Sequence, residues 1–350
     1  MKKIAFFVRN FQVGGIQKAM VNLLEQLDTS RCTVDVFSFE SEPFYELPQR
    51  ENLRYTLCRP YPYAARFVPF GLLRKLAPVC PSREVYDVAV DFSSYSSECA
   101  VGALSVKAKK RLMWIHNDVE LKWKEDKKYR VLWHFFKGKF PYYDGFCAVS
   151  EGIIPSFRRM TGLEQAPITA IPNFIDTEAI FRKAEEPTEW SVDPEKYNLC
   201  SMGRLCHQKG FDILLDLLAV VAPKRPDLHL TLIGDGEERQ ALEQQIRRLG
   251  LEDRVTLTGS LPNPFPLLRQ MDGFALTSRY EGQGIVLWEA KALGLELFMA
   301  KHLEKYNPGL RGCEDLEQAL LRAEKKEKHR DDLAEYNDAV RQKLEQVLFE

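Results

Sequence analysis

"DGFALTSRYEGQGIVLWEAKALGLELFMA", residues 272–300, is the stretch whose reading decides the fold. Its first seven residues form a short apolar run of strand length, and a polar loop with two glycines follows. "IVLWEAKAL" then has the apolar spacing of a helix, and "LELFMA" reads as a second strand. Strand, loop, helix and strand in so short a span predict a parallel pair of strands. Glu281 falls in the loop and Glu289 in the helix, with Gly282 and Gly284 between them.

The same alternation extends in both directions. Strands are expected at "KIAFFVRN", "TVDVFSF", "VYDVAVDF", "RLMWIHN", "DGFCAVS" and "ITAIPN", and again at "NLCSMGR", "LHLTLIGD", "RVTLTG", "DGFALTS" and "LELFMA". Between them lie helical spacings such as "IQKAMVNLLEQL" and "FDILLDLLAVVA". Apolar strands alternating with helices imply parallel sheets covered on both faces, hence an α/β fold of two doubly wound, Rossmann-like domains. The polar stretch "RKAEEPTEWSVDPEKY", 182–197, reads as the linker. The expected division is therefore 1–184, 185–330, and a C-terminal segment 331–350. In the last of these, Leu333, Tyr336, Val340, Leu344 and Val347 have helix spacing; it either caps its own domain or crosses back to the first.

Composition narrows the class. The chain has 350 residues, 45% hydrophobic and 28% charged, with a formal net charge of −1, which gives no global reason to expect nucleic acid. Eight scattered cysteines with no Cys-x-x-Cys pair argue against a disulfide framework or a zinc site and fit a reducing compartment. The opening "MKKIAFFVRNF" is interrupted by Arg9 and lacks a cleavage site, so a soluble cytoplasmic protein is expected.

In open α/β sheets ligands sit outside the carboxyl ends of the strands, and two such domains facing each other would form a cleft. Candidate site residues therefore follow strands. Gly14 and Gly15 precede a helix whose N-terminus can face an anion or a sugar; a plain tight turn is the alternative. The pair lacks the Gly-x-Gly-x-x-Gly of a dinucleotide site. His116 and Asp118 lie just past a strand end, where a histidine can meet a substrate hydroxyl. Arg204 and Lys209 follow the strand that opens the second domain, two cations with no carboxylate between them, suited to a diphosphate. In the opening stretch, Gly282 and Gly284 let backbone approach a ligand, and amides near Gly284 and Ile285 can meet phosphate oxygens. Glu281 is placed to accept sugar hydroxyls, and Glu289 those of a ribose diol.

Taken in order, Gly14-Gly15, "IPNFID" (171–176), "GRLCHQKG" (203–210), "LIGDGEERQAL" (232–242) and "SRYEGQGIVLWEA" (278–290) resemble the retaining GT-B glycosyltransferases of family 4, the group 1 type. The resemblance spans roughly residues 1–295. It implies a nucleotide-sugar donor, most simply a UDP-sugar, with Arg204 and Lys209 on its diphosphate, Glu281 on its sugar and Glu289 on its ribose. His116 would touch the donor sugar, Gly14-Gly15 would line the cleft, and Asn173 would lie near the crossing between domains. Glu281 and Glu289 are then hydroxyl acceptors rather than the acid and nucleophile of a glycosidase. No Asp-x-Asp motif stands out, so neither metal nor cofactor is expected. The chain departs from the family after Ala292: Gly294-Leu295 is followed by Glu296 rather than proline, then "LFMAKHLEKYNPGLRG".

The implied reaction is transfer of a hexose to a saccharide or lipid-linked acceptor in cell-surface polysaccharide or glycolipid assembly. A non-catalytic scaffold subunit and a sugar-nucleotide epimerase of the same architecture are the rival readings. Between Lys107 and Lys139 there are eleven Lys/Arg against four acids, interleaved with Trp114, Trp123, Tyr129, Trp133, Phe135, Phe136 and, just beyond, Phe140. Residues 59–83 add five cations and no acid. A basic face studded with aromatics can dock on an anionic membrane from the cytoplasmic side; a solvated helical face over buried aromatics is the alternative.

Overall fold

The computed structural model describes residues 1–12, 14–40, 43–76 and 82–350. The described chain divides into two compact units, Met1–Phe174 with Glu335–Glu350, and Ile175–Ala334. The first is built on strands β1 (Lys2–Phe7), β2 (Cys32–Ser38), β3 (Leu53–Leu57), β4 (Val85–Asp91), β5 (Lys107–Ile115), β6 (Gly145–Ala148) and β7 (Ile168–Ala170). Its helices are α1 (Gly15–Gln26), α2 (Phe70–Leu76), α3 (Ser97–Ser105), α4 (Val119–Glu125), α5 (Lys127–Phe136) and α6 (Ile154–Thr161). The second carries α7 (Thr177–Ala184), β8 (Tyr197–Met202), α8 (Phe211–Val221), β9 (Leu228–Ile233), α9 (Arg239–Leu249), β10 (Val255–Gly259) and α10 (Phe265–Leu268). It continues through β11 (Gly273–Leu276), α11 (Ile285–Ala292), β12 (Glu296–Met299) and α12 (Leu316–Leu321), and α13 (Ala334–Phe349) ends the chain.

Both sheets are parallel throughout. Their orders are β3-β2-β1-β4-β5-β6-β7 and β10-β9-β8-β11-β12, so each doubles back once, between β1 and β4 and between β8 and β11. At such a switch point the loops leaving adjacent strands run to opposite faces, which opens a crevice at the strands' carboxyl ends. The second core shows how the sequence makes this shape. Phe211, Leu214, Leu215, Leu218 and Val221 line one stripe of α8 and bury against Leu199, Leu230 and Leu232 of the sheet.

Two expectations change here, and one open alternative is decided. β3 was not foreseen: only Leu53 is buried along it, so its sequence has no strong alternation. The division falls at 174/175 rather than 184/185, because α7 packs on α10 and α11 of the second unit and Glu185 just past it pairs with Arg269 and Arg330. From Glu335 the C-terminal segment belongs to the first unit, where Tyr336 donates to the Asn173 carbonyl at 2.7 Å and Glu345 pairs with Arg31. Leu348 rather than Val347 is the last residue that α13 buries.

Candidate functional site

The candidate residues of the second unit gather at the β8/β11 switch point. The loop after β8 carries Arg204 and Lys209; the loop after β11 carries Glu281. The two loops are tied together: the Arg279 amide donates to the Gln208 carbonyl at 2.8 Å, Gln208 Nε2 to the Tyr280 carbonyl at 3.1 Å, and Thr277 Oγ1 to the Gly210 carbonyl at 2.8 Å. Gly210 is required on two counts. Its φ is +63°, and a Cβ there would stand 2.3 Å from the Thr277 carbonyl oxygen. Arg279 adds a forked pair with Asp212, at 2.8 and 2.6 Å, which holds the Asp212 carboxyl below its usual range.

Lys209 and Glu281, distant in sequence, form one ion pair: Nζ to Oε1 is 2.7 Å. Ser278 Oγ donates to the same Oε1 at 2.7 Å, so Oε2 keeps its lone pairs for a ligand. No carboxylate lies between Arg204 and Lys209 in the sequence, but the fold brings one beside Lys209 because β8 and β11 are neighbours in the sheet. Arg204 is exposed and has no ion-pair partner among the described residues. The crevice therefore presents a free guanidinium, a partly buried ammonium and an oriented carboxylate oxygen, a set that fits a polyhydroxylated anion.

The helix start differs from expectation. The Gly284 amide donates to Asn307 Oδ1 at 3.0 Å and the Ile285 amide to the Gln283 carbonyl at 3.1 Å. Both donors assigned to phosphate are spent inside the protein, because the first turn of α11 is buried and buried amides need partners. Gly282 is buried beside Glu281, and Glu289 is buried on the second turn of α11. Ser278, Arg279, His302 and Asn307 went unnamed in the sequence reading. Their only local signal was proximity to Glu281 or membership of the atypical segment after Ala292.

In the first unit, His116 follows β5 and its Nε2 lies 2.7 Å from the Phe92 carbonyl. A carbonyl only accepts, so Nε2 carries the proton and Nδ1 is left as an acceptor. Burial pushes the ring down to about 4, so it is neutral at neutral pH. Asp118 serves structure: its Oδ1 caps α4 by accepting from the Leu121 amide at 3.1 Å. Gly14 caps α1 and its amide meets Tyr45 Oη at 3.4 Å, while a Cβ on Gly15 would meet nothing within 4 Å. Asn173 is buried, and the chain passes to the second unit directly after Phe174. Sequence reasoning also missed a polar cluster at this edge, where Arg9 reaches Glu40 and Glu98, each at 3.3 Å.

The aromatic basic face is redrawn. Tyr129, Trp133 and Phe136 are buried on the inner face of α5, Trp114 is buried in β5, and Phe140 is buried just beyond α5. Lys139 is buried as well, with Nζ 2.6 Å from the Ser94 carbonyl and 3.4 Å from Asp91. Of the segment 59–83, residues 77–81 lie outside the described residues. No helix among the described residues is long and apolar enough to cross a membrane.

The chain is similar to known proteins over most of its length. The family model for glycosyltransferase family 4 matches residues 13–179, and that for glycosyl transferases group 1 matches residues 182–302. An uncharacterized glycosyltransferase of Haemophilus influenzae is 25% identical over 303 residues, 85% of this chain and 80% of its own. The lipopolysaccharide core biosynthesis mannosyltransferase LpsB of Rhizobium meliloti is 29% identical over 153 residues, 41% of this chain and 44% of its own. Among solved structures, Anabaena HepE in complex with UDP and glucose superposes with a TM-score of 0.62 at 18% identity, covering 99% of this chain and 100% of its own. Two family models that between them take in nearly all of residues 13–302, over two parallel α/β sheets each with one switch point, place the chain in the family 4, group 1 glycosyltransferases with the GT-B fold.

Proposed function

We propose that this chain is a retaining hexosyltransferase that moves a sugar from a UDP-sugar to a saccharide or lipid-linked acceptor in cell-surface polysaccharide or glycolipid assembly. The observation that carries the reading is the Lys209–Glu281 pair at the switch point beside the unpartnered Arg204. On this reading Arg204 and Lys209 meet the diphosphate, Glu281 Oε2 accepts a donor-sugar hydroxyl, and Glu289 serves the ribose. The bond from the anomeric carbon to the diphosphate breaks and that carbon bonds the acceptor oxygen on the same face. The acceptor's proton passes to the departing phosphate oxygen. Arg204 and Lys209 stabilise the charge that develops there, so the reaction is proposed to need no metal. HepE binding UDP and glucose, and LpsB acting in lipopolysaccharide core biosynthesis, support the donor and acceptor classes.

A panel of UDP- and GDP-sugars, scored by thermal shift and by sugar release with and without saccharide acceptors, tests this. UDP-sugars should raise the melting temperature, since a ligand bound only by the native state stabilises it. Wild-type turnover no higher than that of Lys209→Ala, or full conversion of the donor to an epimer without acceptor, would overturn the reading.

The proposed location is the cytoplasmic face of an anionic membrane, with no nucleic acid as partner. Its support is a surface made by 59–76 and 127–142, stretches that contain no acid. There Tyr63, Phe67, Leu72, Val131 and Tyr142 are exposed, Phe67 meets Phe135 at 5.7 Å, and the Arg74 guanidinium lies 4.3 Å from the Tyr142 ring centre. Apolar side chains exposed on stretches that carry cations and no acid suit an anionic lipid surface. The protein should pellet with phosphatidylglycerol-containing vesicles at low salt and release at high salt; remaining in the supernatant at low salt sinks the idea.

A further inference from the structure

The segment after β12 folds against the loop that carries Glu281. After Met299 the chain makes a short turn of 3-10 helix, Lys301–Tyr306, whose Leu303 and Tyr306 are fully buried, as is Asn307 just beyond. Two side chains of this turn reach the loop. His302 Nε2 lies 2.9 Å from the Ser278 carbonyl, and Asn307 Oδ1 accepts from the Gly284 amide at 3.0 Å. Asn307 Nδ2 donates back to the Leu303 carbonyl at 3.0 Å, so the orientation of its amide is fixed by partners on both sides.

Ser278 and Gly284 stand three residues before and after Glu281. The turn therefore grips the loop at both ends and leaves its middle to present the carboxylate. Ser278 is gripped twice over: its carbonyl accepts from His302 while its Oγ donates to Glu281 Oε1 at 2.7 Å. A loop with two glycines has many backbone states, and these contacts select one of them.

We propose that His302 and Asn307 are positioning residues that hold the 278–284 loop so that Glu281 bonds Lys209 and turns Oε2 toward the donor sugar. The role given to Oε2 rests on the proposed function; the clamp itself does not. A site that orients its ligand by one carboxylate oxygen is sensitive to small displacements, so loss of the clamp acts on the chemical step.

His302 is largely at the surface, so His302→Phe, which keeps a ring but no donor, should fold, and His302→Gln restores a donor. Hydrogen exchange on the full chain is the first measurement. His302→Phe should speed exchange of the Gly284 amide, which His302 does not touch, about fivefold, the effect of one lost hydrogen bond, and His302→Gln should bring it back. Unchanged Gly284 exchange in His302→Phe would overturn the clamp, whatever the protein's activity. The second measurement is transfer from a UDP-sugar. His302→Phe and Asn307→Ala should lower kcat about tenfold while inhibition by UDP, which lacks the sugar, moves less than about twofold. In a Glu281→Ala background His302→Phe should have no further effect on kcat, because nothing remains to position. An additive loss in that background, or equal weakening of UDP and UDP-sugar, would show a structural role alone and overturn the assignment. Absence of wild-type turnover with every donor would instead count against the proposed function and leave the exchange result standing.

Discussion

Replacing Glu281 by glutamine should lower kcat/KM for sugar transfer by about 10²–10³, the usual consequence of removing one oriented electrostatic contact from a reacting centre. Glutamine keeps the size of the side chain but not its charge. Lys209, now without its carboxylate at 2.7 Å, would no longer be held in place, and Ser278 Oγ would lose a charged acceptor. Lys209→Met should cost a similar factor from the other side. The pairing makes a sharper statement than either variant alone. Groups in direct contact are not energetically independent, so Lys209→Met with Glu281→Gln should be no worse than the worse single change. Steady-state kinetics on the four proteins measures this, with Arg204→Met as a control that should add to either. A Glu281→Gln variant within threefold of wild type, or strict additivity with Lys209→Met, would remove the pair from the mechanism.

The second large effect concerns stability. Lys139 and Asp91 are both fully buried in the first unit, with Nζ to Oδ2 at 3.4 Å, and Tyr143 Oη also donates to that Oδ2 at 2.8 Å. Burial raises the Asp91 carboxyl above its ordinary range, against the opposing pull of Lys139. Lys139→Met should therefore destabilise the protein by about 3–5 kcal/mol at pH 7, since it leaves a buried carboxylate without its cation. The sign of the pH dependence follows. In the variant only the hydrogen bonds from Tyr143 and Ser93 still oppose the desolvation of Asp91, so the folded state prefers the neutral acid even more. The unfolded state at pH 7 holds that carboxyl ionised, and the defect should shrink as pH falls and the folded protein takes up the proton. Lys139→Met with Asp91→Leu should recover most of the loss at all pH values. Urea unfolding followed between pH 5 and 8 tests both parts. A pH-independent defect in Lys139→Met would show that the cost is packing rather than charge.

The position of several candidate residues at strand ends was legible in the sequence. Lys209, Glu281 and Arg204 follow strands and precede helices, and that pattern alone singled them out. What could not be read was that Lys209 and Glu281 touch, because 72 positions separate them and only the adjacency of β8 and β11 joins them. The amides of Gly284 and Ile285 were misassigned for a related reason. A helix start exposes donors in principle, but whether Asn307 has taken one depends on a segment that returns from beyond β12. Lys139 was counted with a basic surface by composition, and the fold buries it.

The sequence by itself determined the alternation of strands and helices and the residue types at the strand ends, since hydrophobic period and turn chemistry are local properties of the chain. It missed β3, where an edge strand with a single buried residue leaves almost no pattern to read. Only the tertiary structure decided the strand order, the boundary at 174/175, the burial of the α5 aromatics, and which polar atoms remain for a ligand. Those outcomes depend on contacts between residues far apart in the chain. A polar atom's availability is settled by whichever partner the completed packing brings to it.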